Sequence, residues 1–254
     1  MSKDSLKTQW KNEEDFAFQG WDFSYINDRI SDQNLPWDYR TLVNQYLKPN
    51  SILLDMGTGG GEFLLSLNHP YDKTTITESY APNIKLCQQT LTPLGIRVVP
   101  VEDDAKIPLL DKTFDIIINR HESYDINEVK RLLKPNGYFI TQQVGGQNNN
   151  MLSKIYDPNF KPSYPNHYLE HEKSAFINAG FDILFADEFF PYLRFNDIGA
   201  VVYFSKIIPW EFPNFSVKNN YQQLIEINKE IEKNKYFESL EHRFIIVAKL
   251  RKQE

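Results

Sequence analysis

The chain has 254 residues and a single cysteine, Cys87, so it can form no internal disulfide. That cysteine lies among apolar positions of helical spacing, where packing explains it better than reactivity. Long apolar runs are missing. The first thirty residues mix charges with aromatics where a secretory leader would carry a continuous apolar segment. No later stretch offers the ~20 apolar residues that a bilayer-crossing helix needs. The expectation is a soluble, cytoplasmic protein with no membrane partner. Basic clusters are absent too: 34 Asp and Glu against 28 Lys and Arg give a net charge of -6, with no block of like charge. That balance argues against a large nucleic-acid footprint. There is no internal repeat, and glycine is sparse, at 11 residues, so its one cluster is informative.

The cluster is Gly57, Gly59, Gly60 and Gly61. An apolar run from Ile52 to Leu54 reads as a buried strand with Asp55 at its carboxyl end, and a short helix starts near Glu62. In open α/β sheets the ligand binds beyond the carboxyl ends of the strands, which makes this strand, turn and helix a candidate cradle. A dinucleotide fingerprint counted from Gly57 would need a glycine where Glu62 stands, and a P-loop would need a Gly-Lys-Ser/Thr ending. Neither is present. With no Lys or Arg in the turn and carboxylates at both ends, a ligand carrying positive charge and an amino group suits it better than a pyrophosphate. Thr74 to Ser79 reads as the second strand. Glu78 lies at its tip, roughly 20 residues beyond the turn, where an acid that grips a ribose belongs.

Elsewhere strands and helices alternate. Leu42, Val43, Tyr46 and Leu47 describe a helix with Pro36 near its first turn. Pro82 opens another, with Ile84, Cys87, Leu91 and Leu94 on one face, and Gly95 ends it. Ile96 to Val101 reads as the third strand and Phe114 to Asn119 as the fourth. Ile126, Val129, Leu132 and Leu133 mark a helix, and Leu133 to Ile140 turns into the fifth strand. The pattern predicts a doubly wound, mostly parallel α/β sheet. Residues 6 to 31 read as helical pieces, residues 145 to 165 as a loop rich in Asn and Pro, and residues 191 to 241 as an insertion with helices over 197 to 206 and 221 to 232.

The pattern D-x-G-x-G-x-G, here Asp55, Gly57, Gly59 and Gly61, together with Glu78, resembles the first motifs of class I, Rossmann-like S-adenosylmethionine-dependent methyltransferases of small-molecule type. Asp103-Asp104-Ala105 shortly before Ile107-Pro108 is similar to a further family pattern. So is the turn Leu133-Lys134-Pro135-Asn136-Gly137, where Asn136 replaces the usual first glycine. The resemblance spans roughly residues 36 to 190 and the last strand. It implies a seven-stranded sheet with the last strand antiparallel, completed by Phe181 to Phe189 and Arg243 to Leu250. It also implies one methyltransferase domain over residues 1–254, with its core at 36–190 and 242–254. Helical caps at 1–35 and 191–241 would close a water-poor chamber over the cofactor. S-adenosylmethionine would be bound, and S-adenosylhomocysteine released, by Asp55, Gly57, Thr58, Gly59, Gly61, Glu78, Ser79, Asp103, Asp104, Ala105 and Asn119. Glu78 would hold both ribose hydroxyls and Asp103 or Asp104 the adenine amino group. A solvated acidic turn remains the other reading of residues 102 to 104.

In the family the methyl acceptor lies just after the fourth strand, which here reads Asn119-Arg120-His121-Glu122-Ser123-Tyr124. The letters lack the N-P-P-Y of amide methyltransferases, the Pro-Cys of cytosine C5 enzymes and the paired glutamates of protein arginine methyltransferases. What remains is a polar group with a His and a Glu, and the expectation is transfer to a small-molecule oxygen, nitrogen or carbon. His121 and Glu122 are the candidate proton acceptors; the alternative is that both simply begin a helix, with Glu122 favouring its N-terminus. Candidate substrate contacts are Trp21, Tyr25, Tyr124, His167, Arg194 and Trp210, although aromatics in such numbers more often form core. His167 to His171 matches the H-x-x-E-H zinc signature. The segment leads into Phe176, Ala179, Gly180 and Phe181, an ending similar to a methyltransferase helix and strand, so no metal is expected. The rivals are an RNA or protein methyltransferase of the same fold and a module that holds the cofactor without catalysis. Oligomeric state is open.

Overall fold

A computed structural model describes residues 3–17 and 23–252. The chain forms two compact units. Pro36–Val144, His167–Glu188 and Phe244–Glu254 make the larger, and Met1–Leu35, Gly145–Asn166 and Phe189–Arg243 make the other.

The larger unit is built on seven strands: β1 Leu53–Met56, β2 Thr74–Glu78, β3 Arg97–Pro100, β4 Phe114–Arg120, β5 Leu133–Val144, β6 Phe181–Phe189 and β7 Arg243–Leu250. Their order across the sheet is β3-β2-β1-β4-β5-β7-β6, with the last strand antiparallel. β1 pairs in parallel with both β2 and β4, placing Met56 beside Thr77 on one side and Asn119 on the other. Every residue of β1 and β2 is buried, which explains why β1 lacks the alternation of a half-exposed strand. The order reverses at β1, so a crevice opens beyond its carboxyl end. The glycine turn lies there.

Local chemistry sets the helix starts. Asp38 caps Tyr39–Tyr46 by accepting the Thr41 N–H at 2.7 Å, so Pro36 precedes the helix instead of entering its first turn. Ala81–Thr90 carries Pro82 in its first turn, and after a short 3-10 turn the chain reverses at Gly95, φ +98°. The core joins Leu54, Ile117, Phe139, Phe176 and Phe244. β5 takes in the Lys-Pro-Asn-Gly turn as an irregularity: the pairing with β4 shifts between Phe114 and Ile116, and Asn136 sits at φ +66°. Helix Leu169–Ala179 begins two residues after His167, so the two histidines of H-x-x-E-H do not share a helix face.

The other unit contains helices Lys3–Asp15, Asn150–Tyr156, Ile198–Ile207 and Tyr221–Asn234 and the 3-10 turn Ser24–Arg29. A sheet of three antiparallel strands accompanies them: Ile30–Asp32, Tyr192–Phe195 and Phe237–Leu240, with Tyr192–Phe195 in the middle. Its core includes Trp10, Phe195, Tyr203, Phe212 and Phe237. Two features depart from the sequence expectation. Residues 145 to 165 contain a helix and belong with the insertion, and the insertion contains strands as well as helices. The helix is anchored by Asn149, fully buried at φ +49°. Its amide donates to Glu211 at 2.8 Å and accepts from Ser239 at 2.9 Å. Among the described residues no helix is long and apolar enough to cross a membrane.

Candidate functional site

The turn after β1 is held by its own backbone and by β2. Gly57 and Thr58 donate their N–H groups to the Thr77 carbonyl at 3.0 and 3.3 Å, and the Gly61 N–H returns to Thr58. Gly57, Gly59 and Gly61 have φ of +68°, +63° and +87°, a region that costs a side-chain-bearing residue roughly 1–2 kcal/mol. A Cβ on Gly59 would meet nothing within 4 Å, so the backbone faces open space there, whereas one on Gly57 would run into the Glu122 side chain. The Cys87 thiol donates to the Gly59 carbonyl at 3.2 Å.

Asp55 is buried and accepts the Thr58 hydroxyl at 2.6 Å. Burial raises its pKa to about 7, with Glu78 adding to the shift while the Thr58 bond and Arg120 oppose it. Glu78 is equally buried. Its Oε2 accepts the Gly59 N–H at 2.9 Å, and its Oε1 accepts the Ser79 and Tyr80 N–H groups, each at 2.9 Å. A carboxylate offers about four lone-pair sites, so three backbone donors leave about one open. As it stands, Glu78 organises the turn as much as it presents itself to a ligand.

Glu78 lines one small pocket with Gly57, Ser79, Val101, Asp104 and Glu122. Three carboxylates thus share a space with no basic side chain lining it. Burial first, then Asp104 and Glu78, raise the Glu122 pKa. The structure separates the two aspartates of the acidic turn. Asp104 lines the pocket and accepts the Ser123 hydroxyl, while the exposed Asp103 closes its own turn by accepting the Ala105 N–H at 2.9 Å. Asp103 and Ala105 line a separate surface groove.

Several expected residues take other roles. Asn119 is fully buried; its Oδ1 accepts from Thr141 at 2.9 Å and Gln143 at 2.6 Å, so its side-chain oxygen is engaged within the sheet. Tyr124 is core. It packs on Phe139 and Phe176 and donates to Glu172 at 2.9 Å, with burial holding its pKa well above the usual value. His167 joins the same Glu172 at 3.1 Å. Neither borders the acidic pocket. The helix after β4 begins at Ile126, capped by Asp125, so His121 and Glu122 do not begin it. His121 follows β4 directly at φ +62°. In the other unit, Tyr25 stacks on Phe16 and donates to Glu13. Arg194 lies between the rings of Tyr192 and Tyr236 and holds Glu238 at 2.8 Å, and Trp210 is half exposed. Trp21 lies outside the described residues. Among those residues no cluster of three or more His, Cys, Asp or Glu has metal-binding geometry.

Residues 54–141, from β1 into β5, match the family model described as "Methyltransferase domain". Over that stretch the chain is similar to this domain. Its fold is that of the class I, S-adenosylmethionine-dependent enzymes. Solved structures agree on this fold. A protein of Bacillus halodurans C-125 described as a candidate methyltransferase superposes with a TM-score of 0.56 at 14% identity, covering 85% of this chain and 99% of its own. The YcgJ protein of Bacillus subtilis gives 0.56 at 17% identity, with 85% and 98% covered. The [4+2]-cyclase SpnF gives 0.50 at 16%, with 84% and 80% covered. No curated protein matches the chain in sequence.

Sequence reasoning passed over Gln142 and Gln143. Both are buried at the end of β5, and both touch the segment after β4. Gln143 bonds Asn119, Thr141 and the Glu122 carbonyl; Gln142 bonds Trp37 and His121. Two successive amides closing an otherwise apolar strand were the available signal, since buried amides must find partners.

Proposed function

We propose that the protein binds S-adenosylmethionine at the glycine turn and transfers its methyl group to a small-molecule oxygen, nitrogen or carbon. The observation that carries this reading is the placement of Glu78, Asp104 and Glu122 around one pocket at the sheet's switch point, beside a backbone whose positive φ angles favour glycine. The donor set suits the cofactor: carboxylates face a cationic nucleoside with hydroxyl and amino donors, and no Lys or Arg in the turn repels it. When bound, the cofactor supplies a methyl already activated on a sulfonium.

The chain's part is to hold and align. The remaining acceptor site of Glu78 takes a ribose hydroxyl; a second hydroxyl requires it to release one backbone donor. Asp104 is the acid placed for the adenine amino group. Glu122, with its raised pKa, is the group placed to accept a proton from the methyl acceptor as the methyl arrives. We assign no role to a nucleic acid or a membrane, consistent with the net charge of -6.

Calorimetry with S-adenosylmethionine and S-adenosylhomocysteine tests the first half; labelled-methyl turnover over panels of small hydroxyl, amine and acidic-carbon compounds tests the second. Binding without turnover, or a steep salt dependence of binding to RNA, would overturn the small-molecule reading. No binding of either nucleoside would overturn the cofactor.

A further inference from the structure

Trp37, Gln142 and His121 form a connected chain in the larger unit. The Trp37 indole N–H donates to Gln142 Oε1 at 2.8 Å, and Gln142 Nε2 lies 3.1 Å from His121 Nε2. Trp37 and Gln142 are both buried. The backbone reinforces the arrangement: the His121 N–H donates to the Gln142 carbonyl at 2.8 Å, and Arg120 is in register with Gln142 across β4 and β5. His121 itself sits at φ +62°, which histidine tolerates but adopts seldom. A side chain held this way, just past the end of a central strand, is set by its surroundings.

The chemistry of the three groups then dictates a proton position. An indole N–H can only donate, so the side of the Gln142 amide facing Trp37 must be its oxygen. The other side is therefore the NH2 group, which can only donate. Its neighbour, His121 Nε2, must accept and so carries no proton. In a neutral imidazole the proton then resides on Nδ1. A proton on Nε2 would set two donors face to face.

We propose that Gln142, oriented by Trp37, holds His121 as its Nδ1–H tautomer, so that His121 acts as a hydrogen-bond donor and not as the general base. On the reading that the methyl acceptor lies beyond β4, Gln142 is a positioning residue for that site, and proton acceptance falls to Glu122. The tautomer itself does not depend on that reading.

Two-bond nitrogen–hydrogen NMR correlations of the imidazole rings at mildly alkaline pH test it, with the signals of His121 identified by their loss in His121→Gln. The expected wild-type pattern is a protonated Nδ1 and a bare Nε2. Gln142→Glu replaces the amide NH2 with an acceptor and should invert the pattern to Nε2–H. Trp37→Phe frees the amide to rotate and should give a mixture of the two. A wild-type Nε2–H pattern, or a pattern unmoved by Gln142→Glu, would overturn the proposal. The wild-type spectrum decides even if both variants fail to fold. Failure of cofactor binding in calorimetry would strike the proposed function while leaving the tautomer standing.

Discussion

Glu122 lies directly over Gly57, and the glycine has no side chain because the glutamate occupies the place where one would go. Gly57→Ala is expected to cost roughly 1–2 kcal/mol from its φ of +68° and to push Glu122 aside as well. Gly59→Ala carries a similar backbone cost but meets no neighbour. Thermal melts should therefore show Gly57→Ala as the more destabilised. Calorimetry should show Gly59→Ala losing cofactor affinity out of proportion to its melt, because its methyl projects into open space beside the turn proposed to hold the cofactor.

Glu78 is expected to matter to the fold and to the ligand at once. Glu78→Ala strips the acceptor from three backbone N–H groups. A loss of about 1–3 kcal/mol should appear both in urea denaturation and in cofactor affinity. If affinity fell and stability did not, the turn would be held by something other than this carboxylate.

Asp55 predicts a pH dependence whose sign can be worked out. Its pKa rises from an ordinary 3.8 to about 7 on folding. Between those values the native state keeps a proton that the unfolded chain has released, so this group's contribution makes stability fall as pH rises through the window. Below it the contribution is constant. Asp55→Asn should remove that slope, seen by comparing melts at mildly acidic and neutral pH. A cationic ligand favours the ionised form, so cofactor binding should strengthen over the same rise in pH.

Cys87 is expected to resist thiol reagents. Burial, aided by Glu78, lifts its pKa to about 11, and its S–H is engaged by the Gly59 carbonyl. Labelling should be slow in the folded protein, fast in denaturant, and slower still when ligand fills the crevice. Rapid labelling of the native protein would show that the turn opens.

Tyr124→Phe should separate core from site. Loss of the part-buried bond to Glu172 is expected to lower stability by about 1 kcal/mol. The Michaelis constant for the acceptor should not move. A raised constant would return Tyr124 to the substrate site.

The sheet and its switch point were legible because their signals are local. Asp55 and the glycines state a turn in consecutive letters, and the buried strands β1 and β4 announce themselves as unbroken apolar runs. Glu78 was legible by its distance from the turn, but not its three backbone partners, which exist only once Gly59 and Tyr80 converge on it. Asp103 and Asp104 were indistinguishable as letters; the turn that Asp103 closes separates them. Helix Asn150–Tyr156 hid because its anchor, Asn149, is a polar residue with left-handed φ, the signature of a loop, and its partners Glu211 and Ser239 lie far along the chain. The Tyr192–Phe195 strand hid for a related reason: its neighbours come from residues 30–32 and 237–240. Gln142 was missed because its meaning lies in what Trp37 and His121 do on either side of it.

That small sheet has a consequence for synthesis. One of its edge strands, Phe237–Leu240, leaves the ribosome long after Ile30–Asp32, the first strand of its sheet, and β7 follows it to take an interior place between β5 and β6. Neither unit can complete its hydrogen-bonded lattice until residues 237 to 250 have been made, because each awaits a strand from that stretch. Nascent chains stalled before residue 237 should therefore expose unpaired strand edges to chaperones, and both sheets should close only once that stretch has emerged.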